Sequence, residues 1–250
     1  MTRVGETLRV VTLNLAHGRG TGSHQALLRR RRIHENLDGV AALLRRLRAD
    51  VVGLQEADGP SWWSGGFDHV DYLARRAEYP HQLRGAHRRW AQLDCGTALL
   101  SHRPLEESLS VPLLSGALRP AKGFVAGALV VGRQVVDVVS VHVDFMLRQT
   151  RRKQLGRMAT HLKQRGRPVI LLGDLNCDWQ REPTLRELAT RLDLVPHRPE
   201  AADLATFPQG RPKRRIDWIL VTRGLEYDEY EVVPHDLSDH RAIVAEISGF

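Results

Sequence analysis

Val169-Ile170-Leu171-Leu172-Gly173-Asp174-Leu175-Asn176 is the stretch on which the reading of this chain turns. Four β-branched or leucine residues bounded by Pro168 and Gly173 predict a short strand. The strand runs out onto a carboxylate and an amide two residues apart, and so able to point the same way. The same arrangement recurs along the chain. Asn14 follows Val10-Val11-Thr12-Leu13, and Gln55 and Glu56 follow Val51-Val52-Gly53-Leu54. His142 and Asp144 lie at the end of a strand expected over residues 135–143. Asp217 sits inside a strand over 216–221, and Asp239 and His240 immediately precede one over 243–247.

Working outward from these ends, strand-like and helix-like segments alternate from start to finish. Further strands are expected over residues 8–15, 97–101 and 124–131, with Gly132-Arg133-Gln134 as a hairpin break before the strand at 135. Leu37, Val40, Ala41, Leu44 and Leu47 fall at helical spacing, as do Leu155, Met158, Ala159 and Leu162, then Leu185, Leu188 and Leu192. A short helix is expected around Tyr72, and the second long helix should stop near Gly166 and Pro168. No repeat, low-complexity segment or composition shift divides the chain. The expectation is a single layered α/β or α+β domain over residues 1–250.

Composition narrows the class. With 42% hydrophobic residues the 250-residue chain can bury a core, which excludes global disorder. Only four of its 37 basic residues are lysine, and the net charge is +8. Such a field favours anionic partners without choosing among nucleic acid, lipid surface and free phosphoesters. Two cysteines, Cys95 and Cys177, exclude a disulfide scaffold and a cysteine zinc cluster; two free thiols are the plainer reading, with one disulfide as the alternative. No signal peptide or membrane-length apolar run is seen, so the expected location is cytoplasmic.

A lone carboxylate at a strand end is usually a cap or turn residue. Six strand ends carrying Asn, Glu, His and Asp are another matter. Converging polar groups need a cation or a hydrogen-bond network to satisfy them. Oxygen donors without cysteine point to Mg²⁺ or Mn²⁺.

Taken together, Thr12-Leu13-Asn14-Leu15, Leu54-Gln55-Glu56, Ser140-Val141-His142-Val143-Asp144, Gly173-Asp174-Leu175-Asn176, Arg215-Ile216-Asp217-Trp218-Ile219 and Ser238-Asp239-His240 resemble the endonuclease/exonuclease/phosphatase superfamily of metal-dependent phosphohydrolases. The pieces stand in the family's order and span nearly the whole chain. The resemblance implies a four-layer α/β/β/α sandwich of two packed mixed sheets with helices outside, and a site where the strand ends meet. It implies Glu56 as principal metal ligand, with Asn14 and Asp239 completing the set. Asp174 would orient or deprotonate the attacking water, Asn176 would hold the phosphate or the nucleophile, and His142 would donate to the phosphate. His240 would be the acid–base histidine, fixed by Asp217.

Blander readings stand beside these. Asp217 could pair with Arg215 or a neighbouring arginine, His17 could be a loop histidine with no direct role, and Asp144 could be a cap. Cys177 reads as a packed thiol.

The motifs fix the bond and leave the substrate to the loops. Trp62 and Trp63 in a glycine-rich loop, Lys122 before a strand and Phe145 after His142 are the substrate-binding candidates. Residues 29–32 are four arginines, and Arg148, Arg151, Arg152, Lys153 and Lys213-Arg214-Arg215 form further basic clusters. In so arginine-rich a chain a basic run can simply be a solvated face. Basic patches with aromatics otherwise suit an anionic membrane surface as well as nucleic acid, which is slightly favoured here. The alternatives are a phospholipid head group or small phosphoester as substrate and, last, a non-catalytic phosphate-binding scaffold. Nothing calls for an obligate protein partner.

Overall fold

The computed structural model describes residues 6–22, 30–90, 93–114 and 122–250; of the arginine run over 29–32, Arg29 lies outside them. In chain order the elements are β1 (Leu8–Asn14), α1 (Arg30–Leu47), β2 (Val51–Gln55), α2 (His69–Arg76), β3 (His81–Trp90), β4 (Leu93–Ser101), β5 (Glu106–Leu113) and β6 (Lys122–Val131). They continue with β7 (Gln134–His142), α3 (Arg148–Arg165), β8 (Val169–Asp174), α4 (Pro183–Leu192), β9 (Leu194–Pro196), β10 (Asp217–Thr222), β11 (Glu226–Val233) and β12 (Ala242–Ser248). Two six-stranded sheets result, ordered β11-β12-β1-β2-β4-β3 and β5-β6-β7-β8-β10-β9. Both are mixed, because β1–β2 and β7–β8 are parallel pairs and the remaining pairs are antiparallel.

Side-chain alternation explains the layering. Val11 and Leu13 of β1 pack outward against Leu37, Val40 and Leu44 of α1, while Leu8 and Val10 face the other sheet. In the second sheet Leu171 of β8 meets Leu155 and Met158 of α3, and Ile170 and Leu172 point inward. Strands covered on both faces read as continuous apolar runs, which is why they were legible from sequence. The expected four-layer sandwich is the one found.

Three details position the site. The β6–β7 hairpin turns on Gly132 at φ 58°, and Val131 pairs with Gln134 across it. The sheets come close at Gly53, where an added Cβ would stand 2.8 Å from the Leu172 Cβ. Two residues nearer the rim, Gln55 Nε2 donates to Ser140 Oγ at 3.1 Å, and Ser140 Oγ donates to Leu54 O at 2.9 Å. These bonds pin the two sheets together directly beneath the cluster of strand ends.

Candidate active site

In the second sheet the polar ends line up in one row. His142 is the β-partner of Asp174, and Asp174 is the partner of Asp217, so three adjacent strands end on three titratable groups. Asn14 reaches over from the first sheet: its Nδ2 donates to Asp174 Oδ2 at 3.0 Å, while its Oδ1 accepts from Ala16 N at 2.9 Å. Asp174 Oδ1 accepts from Asn176 N at 2.9 Å, and Asn176 Nδ2 donates to Val143 O at 3.1 Å. Glu56 and Asn176, each just past a strand, both have φ 50°. Left-handed backbone at two such non-glycine residues costs energy and is typical of functional positions.

His240 Nδ1 lies 2.9 Å from Asp217 Oδ2, which also accepts from Thr206 Oγ1 at 2.6 Å. With Nδ1 committed, Nε2 is turned toward Asp174 Oδ2 at 3.9 Å and Asp239 Oδ1 at 4.0 Å. Burial opposes a charge on His240, but the Asp217 carboxylate outweighs it and lifts the imidazole to about 10. Asp174 is also raised, to about 7, by burial and by the charge of Asp217. Ser238 Oγ donates to Asn14 O at 2.6 Å and accepts from His240 N at 3.2 Å, tying the histidine's loop to β1. The alternative partner, Arg215, is elsewhere: its guanidinium sits 4.0 Å over the Trp218 ring and donates to Tyr230 OH at 2.9 Å.

The opposite wall is built on Glu56. Its carboxylate stands 3.2 Å from His17 Nε2 and 3.6 Å from Lys122 Nζ. Burial alone would raise the Glu56 carboxyl; the charges of His17 and Lys122, with that of His240, overcome it and hold it below the usual carboxylate range. Lys122 Nζ also lies 3.0 and 3.1 Å from the ring nitrogens of His142. Burial and that ammonium push His142 well below its ordinary value, so it is neutral.

His17 is the residue the sequence undervalued. Its Nδ1 is 2.9 Å from Asp58, a fully buried carboxylate, and its Nε2 faces Glu56, so it bridges two acids. Burial opposes its charge, but Glu56 and then Asp58 raise it to about 9. The available signal was Asp58 itself, two residues after Glu56 and in need of a buried partner.

A cleft of about 280 Å³ separates these walls. Beyond the residues already placed, Arg19, Arg214, Phe145 and Phe207 line it. Arg19 Nη2 pairs with Asp239 Oδ2. Of the expected substrate contacts, Lys122 and Phe145 line the cleft, whereas Trp62 and Trp63 do not. Trp62 is exposed, and Trp63 packs edge-on against His17 with ring centroids 6.0 Å apart. Asp144 is a turn residue: its Oδ1 accepts from Met146 N at 2.9 Å and Leu147 N at 2.7 Å. Within the basic clusters Arg151 pairs with buried Glu182 and Arg152 with Glu187. Both cysteines are free, and Cys177 is packed in the core under α3 and α4.

Among the described residues, Asp174, Asp217 and His240 each offer a ligand atom within 4.8 Å of the others. No helix among them is long and apolar enough to cross a membrane. No curated protein matches the chain. Solved structures do. Sphingomyelinase C from Streptomyces griseocarneus is 22% identical at TM-score 0.68, covering 96% of this chain and 99% of that one. An endonuclease/exonuclease/phosphatase from Beutenbergia cavernae is 22% identical at TM-score 0.72, covering 97% and 72%. A mannosyl-6-phosphatase from Bacteroides thetaiotaomicron is 17% identical at TM-score 0.76, covering 96% and 99%. At these identities the likeness is one of fold. A family profile described as the Endonuclease/Exonuclease/phosphatase family matches residues 11–240, from β1 to His240. On that match the chain belongs to the endonuclease/exonuclease/phosphatase family of hydrolases.

Proposed function

We propose that the protein is a divalent-metal-dependent phosphodiesterase that directs water in line onto phosphorus. The observation carrying this reading is the convergence on one cleft of Asn14, Glu56 and His240 from the first sheet with Asp174, its carboxyl raised, and Asp217, the partner of His240, from the second. Glu56, Asn14 and Asp239 open onto that cleft as hard oxygen donors, a set suited to Mg²⁺ or Mn²⁺. Held there, such an ion would supply Lewis-acid polarisation of a phosphoryl oxygen.

The rest is the work of the side chains. Asp174, raised to about 7, is poised to accept a proton from the attacking water near neutral pH. Asn14 and the Asn176 backbone fix the orientation of its carboxylate. His240, kept protonated by Asp217, presents Nε2–H to the developing negative charge. Lys122, Arg19 and Arg214 add cationic donors around the phosphate.

The substrate is argued from what remains free. Of the basic residues that favoured nucleic acid, Arg151 and Arg152 are engaged in internal ion pairs and Arg215 stacks on Trp218. The cleft is small, and the apolar Phe145 stands on its lip, which favours a phospholipid head group or small phosphodiester over a nucleic-acid strand. Hydrolysis should be assayed on single-stranded and plasmid DNA, RNA, sphingomyelin, glycerophospholipids and bis-p-nitrophenyl phosphate, with Mg²⁺, Mn²⁺ or EDTA. Cleavage of a lipid or small diester that EDTA stops is expected. Metal-independent cleavage would overturn the chemistry, and cleavage confined to nucleic acid would overturn the substrate assignment.

A further inference from the structure

Among the described residues seven large hydrophobic side chains are exposed, and four of them lie on two stretches linked through one side chain. Phe145, Met146 and Leu147 follow one another at 60%, 60% and 47% exposure, and Leu114 is 69% exposed. The link is Gln154 of α3, whose Nε2 donates to Leu113 O at 2.9 Å and whose Oε1 accepts from Asp144 N at 2.8 Å. The backbones at Leu113 and Asp144 are thereby bridged by one side chain, with exposed Leu114 and residues 145–147 adjoining them.

The projection is held, because Asp144 Oδ1 fixes the Met146 and Leu147 amides and Arg151 Nη1 donates to Asp144 O at 3.2 Å. Arg151 is in turn clamped by Glu182. Keeping three consecutive apolar side chains in water on a braced turn is unfavourable unless something covers them. The residues that follow the tip are basic and also exposed: Arg148 and Lys153 stand on the first turns of α3. An apolar tip with a cationic flank matches the two layers of an anionic bilayer surface, acyl boundary below and phosphate above. Stacked bases fit less well, since two of the three tip residues, Met146 and Leu147, have no ring.

We infer that Leu114 and residues 145–147 form an interfacial anchor that seats the lip of the catalytic cleft on an anionic lipid surface. The inference extends the phosphodiesterase reading above and rests on it for its purpose, since Phe145 belongs both to the tip and to the cleft wall. A substrate at the membrane surface would then meet the cleft without leaving the bilayer.

The test is co-sedimentation of the full chain with extruded vesicles in EDTA, where no turnover occurs. Vesicles of phosphatidylcholine alone are compared with vesicles containing phosphatidylserine. Binding to the anionic vesicles is expected, reduced about tenfold or more in the Met146→Ser/Leu147→Ser double variant and in Arg148→Glu/Lys153→Glu. Both variants change exposed residues only, and unaltered thermal unfolding together with unaltered hydrolysis of soluble bis-p-nitrophenyl phosphate shows them intact. No vesicle binding by the wild-type chain would overturn the anchor. So would binding that ignores the serine substitutions, or a serine-sensitive affinity for single-stranded DNA instead of vesicles. Failure of the wild type to turn over the soluble substrate would overturn the catalytic reading alone.

Discussion

Asp174 and Asp217 are directly opposed partners on the antiparallel strands β8 and β10, and a single imidazole, His240, stands against both. Two carboxylates a strand apart cannot share one environment. Asp217 takes the His240 Nδ1 and the Thr206 hydroxyl, and Asp174 is left buried with its carboxyl raised to about 7. The pair thus separates into one acid that holds a cation and one that can exchange a proton.

Asp217→Asn keeps the shape and removes the charge that keeps His240 protonated and oriented. By analogy with other carboxylate–imidazole pairs, kcat should fall on the order of 10³-fold or more, with KM little changed. Steady-state kinetics at saturating metal checks this, and a kcat within a few-fold of wild type would mean that the pair is structural.

His17→Ala should act through Glu56. The imidazole braces that carboxylate from buried Asp58, and loss of such outer partners commonly weakens metal affinity about tenfold or more. Titration calorimetry with Mn²⁺ measures it directly, and His17→Gln, which retains one donor, should be the milder change.

Arg151→Met would leave the buried Glu182 carboxylate without its guanidinium. Breaking a buried pair from one side costs about 3–5 kcal/mol, so a clear drop in the urea midpoint is expected. The donation to Asp144 O is lost as well, loosening the turn that carries Phe145. Gly53→Ala tests the packing between the sheets. The new Cβ would meet Leu172 Cβ at 2.8 Å, and overpacking of this kind costs about 1–3 kcal/mol.

How much of this was written in the sequence depends on where a strand lies. The strands over 8–14, 51–55, 122–131, 134–142, 169–174, 217–222 and 242–248 are interior, covered on both faces, and each reads as an apolar run. The strands that the pattern missed are β3, β5, β9 and β11, the four edges of the two sheets. β11 is Glu226-Tyr227-Asp228-Glu229-Tyr230-Glu231-Val232-Val233, a charged ribbon half in solvent, and edge strands are commonly charged because this blocks pairing with other chains. In the site, residues at strand ends were legible because each extends an apolar run. Arg19, Thr206 and Phe207 were not, since they stand on loops whose path only the fold determines, and for the same reason His17 and Arg214 were noticed without a place in the site. Trp62 and Trp63 drew notice as a pair, yet one faces solvent and the other buttresses His17.

Stability should also titrate at His87. Its Nε2 lies 2.8 Å from Thr97 Oγ1, and burial, with the charges of Arg84 and Lys122, depresses it from 6.5 to about 4. The unfolded chain therefore binds the proton first. The stability tied to neutral His87 is complete above about 6.5 and lost as pH falls toward 4. Chemical denaturation of wild type and His87→Gln across that window should show the wild type losing ground to the variant at acid pH, the other titrating groups cancelling in the difference. A constant difference would show that His87 does not titrate on unfolding.

Glu56 and His240 stand on the first sheet and Asp174 and Asp217 on the second, and together they serve one metal-dependent reaction in the cleft. That shared role is tested most directly by turnover of bis-p-nitrophenyl phosphate with Mn²⁺ for wild type, Glu56→Gln and His240→Ala, with circular dichroism as the control for folding. Wild-type hydrolysis should be abolished by EDTA and restored by added Mn²⁺. Loss on the order of 10³-fold is expected in each variant with the fold intact. Turnover that survives EDTA, or that survives in either folded variant, would contradict it.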